Sequence, residues 1–430
     1  MNDTGNRFTL RINRNNFPKI EEISLMLFFS GNAILYLING LFRIIGLPSL
    51  GTYGVLFVKA ITLVGIIVGL LRLKRTLLAK SIFLLFGIIL LFLVSYLLNP
   101  EIGEWLRSSY YGITRVFGLH GHIFSGGVVA FLIIIIQKDP EKILRGLKVS
   151  TVILLIYLLI TLYNRIVNGY FVLDDEGVIR NSAYNMGVGY YCTFVSTTCY
   201  MIWFTEKKKI YLIISVLFAI FSVSFGSRGV IISYALFAIL MLWTTLRDSS
   251  IAKKALIILV VLTAVVIILI NYSRIILGIQ YLLSSIGVSN SRTLSKLVSN
   301  EFMEGNGRDV LWPWGISLIK ERFPFGYGVF GERPIIGSTF KYGYIHNIVL
   351  EIILEFGIIG ILLLIYFIYK SFKLVNYNIQ AKWKALFILF LANTGMLMVS
   401  NSFWYCPYFW AAIATGVLYG KSIKADKQIN

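Results

Sequence analysis

The chain has 430 residues, of which 57% are hydrophobic and 14% charged, and its mean hydropathy is +0.78. Soluble domains carry roughly a quarter charged residues, so this composition excludes them and leaves a polytopic membrane protein. The formal charge of +20 would suggest nucleic acid in a soluble protein, but its distribution gives it a different meaning. Cys192, Cys199 and Cys406 lie in apolar segments without C-x-x-C spacing, which argues against a disulfide framework or a zinc site.

The first residues are polar and basic (Arg7, Arg11, Arg14, Lys19) and do not read as a cleavable signal. A spanning helix needs about 20 apolar residues. Twelve candidates follow, at 24–46, 52–71, 81–98, 120–137, 149–166, 183–204, 210–225, 229–246, 255–275, 347–369, 385–400 and 404–420. Alternate linkers, at 72–80, 138–148, 205–209, 247–254 and 370–384, are short and basic. With both tails they hold 25 of the 40 lysines and arginines. Basic loops stay in the cytoplasm, so both termini are expected inside and the helix count even. The positive charge then fixes topology and meets anionic lipid, and no nucleic-acid partner is implied.

The chain divides into predicted spans one to nine (1–275), a large outer loop (276–345) and three further spans (346–430), all within one membrane domain. Aromatic residues throughout the loop predict order. Within it "GNGRDVLWPWGISLIKER" reads as an amphipathic helix, with Asp309 as its cap and Trp312, Ile316 and Ile319 on one face. A glycine-rich turn, "FPFGYGVFGE", leads on to His346.

Charges at membrane depth cost roughly 2.5–3.5 kcal/mol each on insertion scales, so their positions carry information. Arg180, Arg228, Arg308 and His346 gather at the outer surface on four different segments. Guanidinium forks suit phosphate oxygens, and lipid diphosphates are the phosphates at hand. Other arginines at helix ends, such as Arg165, read as snorkelling anchors. His120 and His122 lack a third ligand, and the acidic run 174–176 reads as a solvated loop, so no metal site is expected. On an ideal helix Gly357 and Gly360 fall below His346, stripping that face for a lipid chain or a second helix. Glu351 and Glu355 fall opposite, where they would satisfy buried arginines of neighbouring helices.

"HNIVLEIILEFGIIG" has the spacing His-Asn, nine residues, Gly, two residues, Gly, and resembles the motif of the O-antigen ligase and Wzy-type polymerase superfamily. "IRNSAYN", "SRG" between two spans, "GRDVLW" and "FPFGYGVFGE" agree with it, and the likeness covers about residues 180–365. The Arg-x10-Gly loop repeats of such polymerases are absent, since Tyr191 and Ile319 stand eleven residues after Arg180 and Arg308. The resemblance implies a GT-C-like, metal-independent glycosyltransferase without a cofactor, in the bacterial cytoplasmic membrane. Its substrates would be undecaprenyl-diphosphate-linked oligosaccharides, with a chain-length regulator and a flippase as further partners. It would make His346 the base, Arg228, Arg308 and Arg180 the diphosphate ligands, and Asn347, Gly357, Gly360 and Trp312 supporting residues. Composition and compact loops favour a polymerase over a ligase that uses a lipid A core. A flippase would place its polar residues at mid-membrane in matching halves, which this chain does not do.

Overall fold

The computed structural model describes residues 19–429 except 120–122, 176–177, 183–184, 248, 286–306, 341–342 and 378–379. Among the described residues the chain is helical apart from one hairpin. In chain order the main elements are α1 (Ile20–Ile44), α2 (Pro48–Leu71), α3 (Arg75–Leu98), α4 (Gly127–Gln137), α5 (Pro140–Asn168), β1 (Phe171–Asp175), β2 (Val178–Ser182), α6 (Met186–Glu206), α7 (Lys209–Phe225), α8 (Arg228–Arg247), α9 (Ile251–Ile270) and α10 (Tyr272–Ser285). After 286–306 come α11 (Arg308–Arg322), α12 (Arg333–Thr339), α13 (Ile348–Val375), α14 (Ala381–Asn393) and α15 (Pro407–Ile429).

Among the described residues six helices are long and apolar enough to cross a membrane: α1, α2, α3, α5, α8 and α13. Several of the other predicted spans are shorter than expected, where the chain packs closely on distant segments. The span expected at 120–137 contains α4, only 11 residues long, which starts where a Cβ on Gly127 would strike the Trp404 carbonyl at 2.2 Å. The span expected at 385–400 is α14 followed by a tight 3-10 turn, Thr394–Met398. There Gly395 lies against the α8 backbone, with 2.8 Å from its would-be Cβ to Ser233 Cα. The span expected to end at 275 continues as α10 to Ser285.

α4, and α14 beyond its basic first turn, are apolar and almost wholly buried, so they form the centre of the bundle. α15 packs on both, and α1 packs on α2 and α5. The outward faces of α2, α3, α9 and α13 expose Phe57, Phe83, Leu259 and Leu362, as lipid-facing helices do. Caps set several helix starts. Asp139 accepts from Glu141 N, Asn185 from Gly187 N and Val188 N, and Asn347 from Val349 N and Leu350 N.

The basic linkers meet at one end of the bundle, tied by ion pairs. Arg72 bonds Glu21 at 2.7 Å, Arg145 lies 3.6 Å from Glu22, Lys148 pairs with Glu206, and Lys382 with Glu141. Arg165 belongs to the opposite end and is no snorkelling anchor. It is 3% exposed, bonds the Gly169 carbonyl and lies over the Phe171 ring.

The described part of the large loop has its own small core of Leu311, Leu318, Ile336 and Ile345, closed by Leu354 of α13. The buried stripe of α11 is Leu311, Gly315 and Leu318. This corrects the expected face of Trp312, Ile316 and Ile319, because Ile316 is 44% exposed. Gly307, not Asp309, occupies the cap position, with φ of 84°.

The straight helix expected after His346 is broken. Gly357 has φ 56° and ψ −130°, so α13 kinks there and positions beyond it do not project below the histidine. The loop turn fills the break. Tyr327 N donates to Leu354 O at 2.7 Å, Gly328 N to Glu355 O at 2.9 Å, and Ile358 N to Pro324 O at 2.8 Å. A Cβ on Gly357 would lie 2.0 Å from Pro324 O, and one on Gly360 would lie 2.4 Å from Ile352 O. Both glycines therefore serve the kink and the turn docked in it. They do not form an open face for a lipid chain. Gly357→Ala combines a conformation reserved to glycine, costing about 1–3 kcal/mol, with that collision. Thermal unfolding in detergent is expected at a clearly lower temperature than for the parent protein. An unchanged transition would show that the turn does not depend on the kink.

Candidate functional site at one end of the helix bundle

His346 immediately precedes the Asn347 cap of α13 and has a positive φ of 55°. A histidine tolerates that region only when its neighbours hold it there. Trp312 Nε1 donates to the preceding carbonyl, Ile345 O, at 3.1 Å, and Asn347 Nδ2 donates to Met398 O at 3.2 Å. The supporting residues Trp312 and Asn347 thus pin the backbone on both sides of the imidazole. The Tyr344 ring lies 4.3 Å from the His346 ring, centroid to centroid.

Arg308 is the first residue of α11, and its charge bears on both His346 and Tyr190 of α6. Tyr190 Oη lies 2.7 Å from Ser227 Oγ, next to Arg228 at the start of α8, and also reaches the Ser400 side chain. Gly229 lets this turn close down, since its Cβ would meet Tyr190 Oη at 2.7 Å. Tyr190 thus links the start of α8, where Arg228 stands, to Arg308, whose charge also reaches His346, across up to 118 residues of sequence. Arg180 sits on β2, opposite Leu173, in the hairpin that joins α5 to α6 at the same end. His120, His122 and Glu176 lie outside the described residues. Burial, and secondarily the charge of Arg308, pushes the His346 pKa down from 6.5 to about 4. The ring is neutral near pH 7 and able to accept a proton.

Beside this cluster lies one that sequence reasoning missed. Arg333, the first residue of α12, is fully buried and surrounded by Glu332, Glu351 and Glu355, all buried. Its guanidinium lies 3.6 Å from a Glu351 oxygen and 3.8 Å from a Glu332 oxygen, and 3.2 Å above the Phe330 ring. It donates to Tyr111 O at 2.9 Å and to the Tyr405 hydroxyl. Glu355 accepts from Trp404 Nε1 at 2.9 Å and from Phe330 N at 3.2 Å, and Glu351 accepts from the Ser402 hydroxyl. The glutamates were expected to satisfy arginines of neighbouring membrane helices. The arginine paired with Glu351 comes from the large loop instead, and Glu355 is held by Trp404 and Phe330.

The carboxylate oxygens of Glu332, Glu351 and Glu355 lie within 4.8 Å of one another, close enough to share a metal ion. The cation that the fold places there is the Arg333 guanidinium. Burial raises the Glu332 pKa while Arg333 opposes the shift. The signals available in the sequence were "GERP", a charge pair ahead of a proline in an aromatic loop, and "NSFWYCP", a polar break between two apolar runs.

Residues 213–365 match the family model described as O-antigen ligase. Over this segment, about a third of the chain, the protein is similar to that family. It contains Arg228, Arg308, Trp312, His346, Asn347, Gly357 and Gly360, while Arg180 lies before it. No curated protein and no solved structure matches the chain.

The buried cluster generates a stability prediction. Arg333→Ala leaves Glu332 and Glu351 without their paired cation, and breaking a buried pair costs about 3–5 kcal/mol. Folded yield, read by fluorescence-detected size exclusion, should drop severely. Wild-type yield and melting would mean that the cluster is not ionised as a unit.

Proposed function

We propose that this protein is a polysaccharide polymerase that joins undecaprenyl-diphosphate-linked repeat units at the outer face of the bacterial cytoplasmic membrane. The basic linkers at the opposite end of the bundle support a cytoplasmic location for that end, and this reading assigns Arg180, Arg228, Arg308 and His346 to the outer face. The observation that carries the reading is a neutral histidine within reach of the Arg308 charge, at the end of the bundle where Arg228 starts α8 and opposite the basic linkers.

In this mechanism Arg228 and Arg308 hold the donor diphosphate, with Arg180 as a third ligand. His346 takes the proton of the acceptor hydroxyl as that oxygen attacks the anomeric carbon of the donor. The bond from anomeric carbon to phosphate oxygen breaks, and the diphosphate leaves with its electron pair. The guanidinium groups stabilise the charge developing on it, the largest expected catalytic contribution. A diphosphate leaving group held by arginines accounts for the chemistry with no metal ion assigned a role. The family description favours the second reading, a ligase with the same donor and a lipid A core or similar acceptor.

His346→Ala should keep normal protein abundance and accumulate lipid-linked single repeat units without polymer. The loss is expected at about 10²–10⁴-fold in rate. Abundance and chain length are read together, by immunoblot and gel, in cells that lack the native copy. Normal chains from this variant would remove His346 from the mechanism, and normal abundance with repeat units moved directly onto a lipid acceptor would favour the ligase.

The lowered pKa sets a pH dependence as well. A base acts only while neutral, and this imidazole stays neutral as pH falls past the ordinary histidine value of about 6.5. The acidic limb of kcat/KM should therefore lie well below that value, towards the folded pKa of about 4. Rates with purified protein and lipid-linked repeat units locate the limb. A limb centred near the ordinary value would assign it to an unburied histidine.

A further inference from the structure

The end of the bundle opposite His346 carries a second built feature that the proposed reaction does not use. A groove of about 440 Å³ opens between α13 and α15, beside the start of α3. Lys80, Lys370, Lys421 and Lys424 line it, and among the described residues no carboxylate does. Lys74 and Lys80 lie near enough to Lys421 for their charges to act on it. Four ammonium groups converging without a counter-charge repel one another, which an anion would relieve.

The floor of the groove has the opposite character. Phe367 and Leu374 of α13, and Ile413 and Val417 of α15, line it below the lysines. It continues onto the outward face of α13, where Tyr366 is 59% exposed. Two glycines on α15, one helical turn apart, keep it open. Gly416 lies against Leu374 and Phe387, and a Cβ on Gly420 would meet nothing within 4 Å. A soluble anion would leave this apolar floor unused, whereas an acyl chain would cover it.

We propose that this groove is a binding site for an anionic phospholipid whose headgroup carries two phosphates and whose acyl chain lies on the apolar floor. Basic pockets between membrane helices bind such headgroups, and juxtamembrane lysines each contribute roughly 1 kcal/mol against an anionic surface. Ammonium groups suit this task better than guanidinium forks, because they meet a mobile headgroup as point charges from several directions. The inference is independent of the polymerase reading, since none of its residues belongs to the His346 site.

Native mass spectrometry of the full-length protein in detergent tests it, with added diphosphatidylglycerol, phosphatidylcholine or inorganic diphosphate as probes. The expected result is retention of diphosphatidylglycerol over phosphatidylcholine by about tenfold or more, equivalent to about 1.4 kcal/mol. Inorganic diphosphate should be retained weakly. Lys421→Gln/Lys424→Gln should remove most of that preference. Gly420→Trp changes no charge and fills open space, and it should remove the preference as well. Lys253→Gln/Lys384→Gln, in the neighbouring cavity at the same end, should leave it intact. Equal retention of the two lipids by the wild-type protein overturns the proposal, as does wild-type selectivity in Gly420→Trp. Diphosphate binding as tight as that of the lipid would also overturn it, in favour of a soluble-anion site.

Discussion

A membrane helix that breaks must find new partners for the backbone groups it frees, because hydrocarbon offers none. α13 breaks at Gly357, and the loop turn at 324–328 supplies those partners. The same turn is held from the other side by α3, where Ser95 Oγ accepts from Val329 N at 2.7 Å. The turn is therefore a wedge between two membrane helices, and the described helices α11 and α12 flank it in the chain. α11 and α12 pack on Leu354 just before the break, and Trp312 reaches from α11 to the carbonyl before His346. Without the kink the loop would have no seat, and Arg308 would lose its position beside the imidazole.

The Arg333 cluster secures that wedge electrostatically. A buried ion pair contributes little net stability compared with an apolar core, but removing one partner is costly. Here one guanidinium from the loop answers carboxylates from α13 and also bonds Tyr111 and Tyr405 on two further segments. A displaced loop would strand charge, so the cluster favours one seating over alternatives more than it adds to total stability. Glu351 and Glu355 at the start of a membrane helix are explained by this role.

The two ends of the bundle use different cations for different tasks. Arg308 and the Tyr344 ring lie by His346, and Arg228 heads α8 at the same end, where planar forks and a neutral base suit a diphosphate leaving group in the proposed reaction. Lysines crowd the opposite end, where ion pairs such as Arg72–Glu21 and Lys382–Glu141 also tie the linkers together. The apolar centre formed by α4 and α14 separates them.

Local patterns in the sequence were enough for the membrane class, the basic end and a helix in the large loop after Gly307. Hydropathy depends on neighbouring residues, so it is legible in one dimension. The length of α4 and α14 was not legible, because apolarity alone does not separate a lipid-facing span from a short helix buried in protein. Nor was the kink: Gly357 looked like one more small residue on a helical face, and only the carbonyl of Pro324 at its Cβ position shows why no side chain fits. Arg333 was passed over because its partners lie 18 and 22 residues further along the chain, on another element. The tertiary structure decided these points for one physical reason. Burying a charge or breaking a helix is tolerable only when distant segments supply the compensating groups, and that supply exists only once the chain has folded.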